Sequence, residues 1–180
     1  MKLLPKRKTP ALVVSQIGGE KWSLTEQKPD KFLMLVFYRG YHCPICKSYL
    51  QKLNSLLDDA SNLGISVFTI SGDTQERALK SRAEWFLGDL GVGYGMTVDQ
   101  MNDWGLYVSA AIKEEEPEFF GEPALFLIKP DQTVYYAAYN SMPVGRPDPK
   151  EVIEFVKFAL EKDYPSRGER TTGGLHSANA

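Results

Sequence analysis

Residues 32–46 read FLMLVFYRGYHCPIC, and this stretch decides the fold. Its first six residues are all apolar, which is typical of a strand buried on both faces in the centre of a parallel or mixed sheet. The chain's only two cysteines, Cys43 and Cys46, follow three residues apart. Pro44 suits the first position of a helix, because the N–H that it lacks would have no partner there. The stretch therefore predicts a strand, a short loop and a helix.

The sequence after the cysteines predicts a βαβ unit. Apolar residues recur at steps of three and four between residues 44 and 63, which is the spacing of one helical face. Gly64 can adopt the left-handed conformation that ends a helix. Residues 65–70 (ISVFTI) then form a second buried strand. Residues 124–129 and 133–139 flank a short polar link and predict an antiparallel hairpin.

Two helix starts are marked by capping residues. Asp73 and Glu76 have the spacing of a capping box, so a helix is expected directly after Asp73. Asp148 precedes Pro149, and an acidic N-cap followed by proline at the first helical position predicts the start of the last helix.

Length and charge favour a single-domain protein and argue against a nucleic-acid-binding, membrane-spanning or secreted one. A chain of 180 residues fits one domain, and a formal net charge of −2 gives no general attraction to nucleic acid or acidic membranes. No run approaches the roughly 18 apolar residues of a membrane span, and the basic N-terminus lacks the apolar region of a secretory signal. We expect a cytoplasmic protein with reduced thiols. We predict a mobile basic end at 1–9, one domain at 10–162 and a polar, disordered tail at 163–180.

The placement of the two cysteines predicts redox chemistry. As the N-cap residue, Cys43 would face the free N–H groups and the positive end of the helix dipole, and both favour its thiolate. Cys46 lies one turn further and is expected to be more buried. Residues at i and i+3 of a helix are about 5–6 Å apart at Cβ, close to disulfide geometry. We therefore predict that Cys43 attacks and that Cys46 resolves the product.

Other uses of a cysteine pair fit less well. Zinc requires four ligands, and the chain offers only His42 and His176 besides the cysteines. A c-type haem site requires His after the second cysteine, where Lys47 stands. Two inert buried thiols are an alternative, although a helix start is an unusual place for them. No metal and no cofactor are predicted.

Four other residues are considered as candidates for the site. Arg39 lies four residues before Cys43 and is a candidate support for its thiolate, or a surface charge. His42 adjoins the nucleophile, but neighbouring residues of an extended chain point to opposite faces. Arg146 lies in a loop rich in Gly and Pro and is interpreted as a solvated charge. Pro123 is either a strand-entry residue or a cis-proline beside the cysteines.

These features together resemble the thioredoxin fold, and more narrowly the peroxiredoxin-like branch of the AhpC/TSA family. The resemblance extends over roughly residues 10–162. It rests on four motifs: FYRGYHCPIC at 37–46, ISGD at 70–73, WGLY at 104–107 and G-x-P-A at 121–124.

The resemblance implies an α/β fold with a mixed central sheet flanked by helices on both faces. It also implies that Cys43 attacks, that Cys46 resolves and that Pro123 is the cis-proline. The implied function is a thiol-disulfide oxidoreductase or peroxiredoxin-like antioxidant protein. Its partners would be a thiol reductant such as thioredoxin or glutathione, a disulfide or hydroperoxide substrate and a second copy in a homodimer.

Two residues depart from the peroxiredoxin pattern P-x-x-x-T-x-x-C. Val36 stands at the proline position and Gly40 at the threonine position, so the hydroxyl that helps to hold a peroxide is missing. A peroxidase would then depend on other donors, such as Arg39, Arg146 or backbone N–H groups. The alternative function is a non-catalytic thioredoxin-fold binding module that uses the acidic and aromatic loop at 110–122 for a partner.

Overall fold

The computed structural model describes residues 2–170 and is built around a seven-stranded sheet. Two further strands form a separate antiparallel hairpin, β6–β7. The order in the large sheet is β2-β1-β5-β4-β3-β8-β9. The strands are β1 (Val13–Gln16), β2 (Lys21–Ser23), β3 (Phe32–Phe37), β4 (Ile65–Ile70), β5 (Gly91–Tyr94), β6 (Val108–Ala110), β7 (Phe119–Gly121), β8 (Ala124–Ile128) and β9 (Val134–Tyr139).

The described residues also form five α-helices and one short 3₁₀ helix at Leu24–Glu26. The α-helices are α1 (Pro44–Asn54), α2 (Leu57–Asn62), α3 (Gln75–Glu84), α4 (Val98–Asp103) and α5 (Pro149–Glu161). The single helix expected between residues 44 and 63 is therefore two helices with a break at residues 55 and 56. None of the described helices combines the length and the apolarity needed to cross a membrane.

Strand β3 divides the core into two halves. Alternate side chains of a strand point to opposite faces, so Met34 and Val36 pack in one cluster and Leu35 and Phe37 in another. The first cluster also contains buried residues of α1, α2, α3 and α5, whereas α4 contributes to the second. Helices thus lie on both faces of a mixed sheet, which confirms the predicted fold class.

The neighbours of β3 bring distant segments to one edge of the sheet. Strand β3 runs parallel to β4, with Phe37 beside Ile70, and antiparallel to β8, with Phe37 beside Ala124. The loops that follow β3 and β4 therefore meet the segment that precedes β8. This edge holds the Cys43 loop, Asp73 and Pro123.

The two predicted helix starts had different outcomes. Asp148 is the N-cap of α5 and accepts a hydrogen bond from the Lys150 N–H at 2.9 Å, which confirms the prediction. The prediction for Asp73 is wrong, because Thr74 is the N-cap of α3. The Asp73 carboxylate is instead engaged by groups of the cysteine loop and of α3, as described below.

Both ends of the described chain lie along strand β9. The Lys6 N–H donates to the Val134 carbonyl at 2.7 Å. The Ser166 hydroxyl donates to the Tyr135 carbonyl at 2.7 Å, and the Tyr135 hydroxyl donates to the Tyr164 carbonyl at 2.6 Å. Residues 163–170 of the predicted tail thus pack on the domain. Residues 171–180, which include His176, lie outside the described part of the chain.

Candidate active site

The two cysteines lie where the sequence places them, at the start of α1. Cys43 is the N-cap in an extended conformation, and Pro44 occupies the first helical turn. The Cys46 N–H donates to the Cys43 Sγ at 3.1 Å. Both thiols are free, and the residues are only 1% and 0% exposed. The N-cap sulfur therefore takes the place of the hydroxyl or carboxylate oxygen that usually caps a helix.

The two thiols are electrostatically unequal. The pKa of Cys43 is lowered to about 7, mainly because the Cys46 side chain hydrogen-bonds to the Cys43 sulfur. The Cys46 N–H and the charges of Arg39 and Arg146 act in the same direction, whereas burial opposes them. The same hydrogen bond, burial and the Cys43 charge raise the pKa of Cys46 well above its ordinary value. A single negative charge in this pair consequently resides on Cys43.

Arg39 connects the cysteine loop to the β6–β7 hairpin. Its guanidinium lies 3.5 Å from a Glu122 carboxylate oxygen and 3.7 Å from one of Glu116, and it covers the ring of Phe120 at 4.6 Å. The side chains of Glu122 and Glu116 are 3% and 7% exposed, so these are not solvated surface pairs. The positive charge of Arg39 contributes to the lowered pKa of Cys43.

Gly40 allows a buried carboxylate to hold the cysteine loop. Its φ of +130° belongs to a region that residues with a side chain rarely adopt, and a Cβ at this position would lie 2.7 Å from an Asp73 oxygen. The Tyr41 N–H donates to the Asp73 carboxylate at 2.7 Å. The threonine of the peroxiredoxin pattern has no room here, because Asp73 occupies the space.

Asp73 is a site residue that the sequence interpretation missed. It is 1% exposed and accepts a hydrogen bond from the Arg77 Nε at 2.8 Å. The same guanidinium lies 3.3 Å from the His42 Nδ1 and donates to the Glu115 carbonyl at 3.1 Å. The ISGD motif was the available signal, since an acid that directly follows a buried strand lies at the end of the sheet where the cysteine loop begins.

His42 is not positioned as a base for either cysteine. Its polar contact is with Arg77, and its ring meets Phe120 edge-on at a centroid distance of 4.7 Å. Burial and the Arg39 charge lower the pKa of His42, so the ring is neutral at pH 7.

Arg146 is the second arginine of the site. The interpretation as a solvated loop charge is wrong, because its Nη1 donates to the Cys46 Sγ at 3.6 Å. Its guanidinium also stacks 3.4 Å above the ring of Tyr49, whose hydroxyl donates to the Pro147 carbonyl at 2.9 Å. The positive charge of Arg146 lowers the pKa of both cysteines. No local sequence signal connects Arg146 to Cys46, which lies 100 positions earlier in the chain.

The comparison with protein families now decides the identity. A model of the AhpC/TSA family matches residues 5–137. The chain belongs to the AhpC/TSA family. No curated protein sequence matches it.

Solved structures share the fold of this AhpC/TSA chain at low identity. A mutant of the peroxiredoxin 6 of Arenicola marina has a TM-score of 0.72 at 14% identity, covering 88% of this chain and 74% of that one. The peroxiredoxin-like protein from Aquifex aeolicus has a TM-score of 0.71 at 18% identity, with 88% of both chains covered. Mycobacterium bovis AhpC has a TM-score of 0.70 at 15% identity, with 95% and 100% covered.

Pro123 of this AhpC/TSA chain does not have the predicted cis conformation. No peptide bond between residues 2 and 170 is cis. The chain passes from β7 through Glu122 and Pro123 directly into β8, and its backbone is held on both sides. The Glu122 N–H donates to the Tyr107 carbonyl at 2.7 Å, and the Pro123 carbonyl accepts from the Asn140 N–H at 2.9 Å. Pro123 does lie at the same sheet edge as the cysteine loop.

The acidic loop at 110–122 packs against the site of this AhpC/TSA chain. Glu116 and Glu122 pair with Arg39, and the Glu115 carbonyl accepts from Arg77. The carboxylates of Glu116 and Glu122 are therefore turned toward the site and away from solvent. Among residues 2–170, no group of three or more His, Cys, Asp or Glu side chains is arranged to hold a metal ion.

Proposed function

We propose that this AhpC/TSA chain is a thiol-dependent oxidoreductase that cycles Cys43 and Cys46 between dithiol and disulfide. The observation that carries the proposal is the Cys46 N–H donating to the Cys43 Sγ at 3.1 Å, beside a second thiol that hydrogen-bonds to the same sulfur. A sulfur held in this way is a thiolate near neutral pH, and the thiolate is the nucleophilic form of cysteine.

A small hydroperoxide fits the site better than a protein disulfide. Cys43 is 1% exposed, so a folded protein would reach its sulfur only after the surrounding loops moved. In the proposed reaction the Cys43 thiolate attacks the peroxide, the O–O bond breaks, and the alkoxide or hydroxide leaves and takes up a proton. Cys43 becomes a sulfenic acid and is the group that is oxidised.

The Cys46 sulfur then displaces the oxygen of the sulfenic acid as water and closes the disulfide. A thiol reductant such as thioredoxin or glutathione would return both sulfurs to the thiol state. The neighbours described as peroxiredoxins support a peroxide substrate, although their identity of 14–18% establishes the fold alone. We further propose a cytoplasmic location, where such reductants keep thiols reduced.

The test compares three proteins and two oxidants. The wild type, Cys43→Ser and Cys46→Ser would be mixed with hydrogen peroxide or with a protein disulfide, and intact mass with dimedone trapping would follow each sulfur. We expect Cys43→Ser to lose all turnover and Cys46→Ser to accumulate a dimedone-reactive Cys43. Turnover that persists in Cys43→Ser would contradict the proposal, and circular dichroism would show that both variants are folded.

The alternative remains a non-catalytic binding module that uses the 110–122 loop. Ile112 and Phe119 are 85% and 50% exposed, and such apolar side chains are available to a partner. The pH dependence of alkylation separates the two functions. Half-maximal alkylation of Cys43 at pH about 7 supports the enzyme, whereas an ordinary thiol pKa of about 8.5 together with no turnover favours the binding module.

A further inference from the structure

The loop between β9 and α5 is held in place before any reaction takes place. The Asn140 side-chain amide donates to the carbonyls of Val144 at 3.3 Å and Gly145 at 2.8 Å. At the other end of the loop, Tyr49 hydrogen-bonds to Pro147, and Lys52 pairs with Asp148. Arg146 lies between these anchors, so its position relative to α1 is built into the fold.

The guanidinium of Arg146 meets the resolving cysteine directly. Its Nη1 is 3.6 Å from the Cys46 Sγ, and its plane rests 3.4 Å from the centre of the Tyr49 ring. Cys46 and Tyr49 are three residues apart on α1 and therefore share a helix face. Stacking on the ring orients the guanidinium, and one of its N–H groups is then directed at sulfur. Its buried Nη2 has no hydrogen-bond partner among the described residues.

The balance of charges around Cys46 changes during the proposed cycle. In the reduced protein the Cys43 thiolate is the largest cause of the raised pKa of Cys46 and also repels its charge. Oxidation of Cys43 to sulfenic acid removes that negative charge. Burial then remains as the force against a Cys46 thiolate, whereas the positive charge of Arg146 and, to a smaller extent, the hydrogen bond from the Arg39 backbone favour it.

We propose that Arg146 is the positioning residue of the resolving step, in which it orients the Cys46 sulfur and stabilises its thiolate for attack on oxidised Cys43. The inference rests on the proposed function. The Cys46 thiolate forms the S–S bond with Cys43, and the S–O bond of the sulfenic acid breaks. The hydroxide that leaves combines with the proton given up by Cys46 and departs as water. The Cys46 sulfur is oxidised and the Cys43 sulfur is reduced.

The test separates the two chemical steps in Arg146→Gln, Arg146→Lys and Lys52→Met. Lys52→Met is the matched control, because it loosens the same loop without changing a charge that contacts sulfur. Each protein would be mixed with hydrogen peroxide and quenched at intervals. Dimedone and intact mass would then give the rates of sulfenic acid formation and of disulfide closure at several pH values.

We expect Arg146→Gln to slow disulfide closure about tenfold, as for one lost charge-assisted hydrogen bond, and sulfenic acid formation by less than about threefold. The pH profile of closure should move upward, because the Cys46 thiolate loses its positive neighbour. Arg146→Lys should give a closure rate between those of the wild type and Arg146→Gln, since it keeps a positive charge there but lacks the planar group that stacks on Tyr49. Lys52→Met should close at the wild-type rate.

If the wild-type protein closes the disulfide, two results would overturn the role of Arg146 and leave the proposed cycle intact. One is an unshifted pH profile in Arg146→Gln. The other is equal slowing in Lys52→Met, which would assign the effect to the loop backbone. A wild-type protein whose Cys43 forms a sulfenic acid but never closes the disulfide would overturn the proposed cycle, and with it this inference.

Discussion

The two arginines beside the cysteine pair belong to different regions, and their charges are used differently. Arg39, at the end of β3, lies within 3.7 Å of two mostly buried carboxylates, those of Glu116 and Glu122. Arg146, in the loop before α5, pairs with no carboxylate among the described residues and instead meets the Cys46 sulfur and the Tyr49 ring. Arg39 is thus paired with carboxylates, whereas the polar contact of Arg146 is the Cys46 sulfur.

The two arginines therefore have different roles: Arg39 holds two segments of the fold together, and Arg146 acts on a thiol. The buried pairs of Arg39 hold the β6–β7 hairpin against the cysteine loop, and a buried arginine left without them would be costly. Arg146 has no such carboxylate partner among the described residues, and its hydrogen bond goes to the Cys46 sulfur. A cysteine pair with two roles is thus served by two cations, Arg39 nearer in sequence to Cys43 and Arg146 in contact with Cys46.

Gly40→Ala should have the largest effect, because it breaks the support on the Arg39 side. The new Cβ would meet the Asp73 carboxylate at 2.7 Å in a conformation with φ of +130°. We expect a loss of about 3 kcal/mol or more in the free energy of unfolding, measured with urea. Gly95→Ala is the matched control, since its φ is also positive at +74° but nothing lies within 4 Å. Equal losses in both variants would refute the role of Asp73.

Asp148→Ala is the corresponding change beside the loop that carries Arg146. It should lower the free energy of unfolding by less than Gly40→Ala does. It removes the N-cap of α5 and the pair with Lys52 at the surface. The free energy of unfolding should fall by about 1 kcal/mol, the usual cost of a lost cap. Glu151→Ala, in the first turn of the same helix, should cost less than half as much. A loss as large as that of Gly40→Ala would contradict the contrast between the two sides.

Arg39→Gln and Arg146→Gln test the division of charge directly. Both variants should raise the pKa of Cys43 above its value of about 7, so that less thiolate is present at pH 6. Iodoacetamide should then label Cys43 roughly threefold more slowly in Arg39→Gln and less than that in Arg146→Gln. Unchanged labelling in both would show that neither charge reaches the sulfur.

Glu122→Gln should have the smallest effect of the four changes, and it should speed up the labelling of Cys43 by iodoacetamide. The carboxylate offsets the Arg39 charge, and the amide keeps an acceptor for the Ser109 hydroxyl at 2.6 Å. The pKa of Cys43 should fall further, and labelling at pH 6 should become about twofold faster. Slower labelling would mean that the network acts on Cys43 through its geometry rather than its charge.

The sequence correctly predicted several features that depend only on neighbouring residues. The apolar run of β3, the proline after Cys43 and the start of α5 at Asp148 are patterns within one or two turns, and the structure confirms them. The N-cap position of Cys43 follows for the same reason, because the helix that holds the sulfur begins at the next residue. The fold class came from the family resemblance that these elements and the four motifs carry.

Only the tertiary structure decided which distant groups surround the sulfurs. Local spacing assigned Asp73 to a helix cap, but its carboxylate binds the cysteine loop 32 residues earlier. The peptide bond before Pro123 is trans, whereas the resemblance had implied a cis bond. Arg146 reaches Cys46 across 100 residues. Periodicity and capping are properties of a short segment, whereas the electrostatics of a buried thiol depend on every charge that the folded chain brings near it.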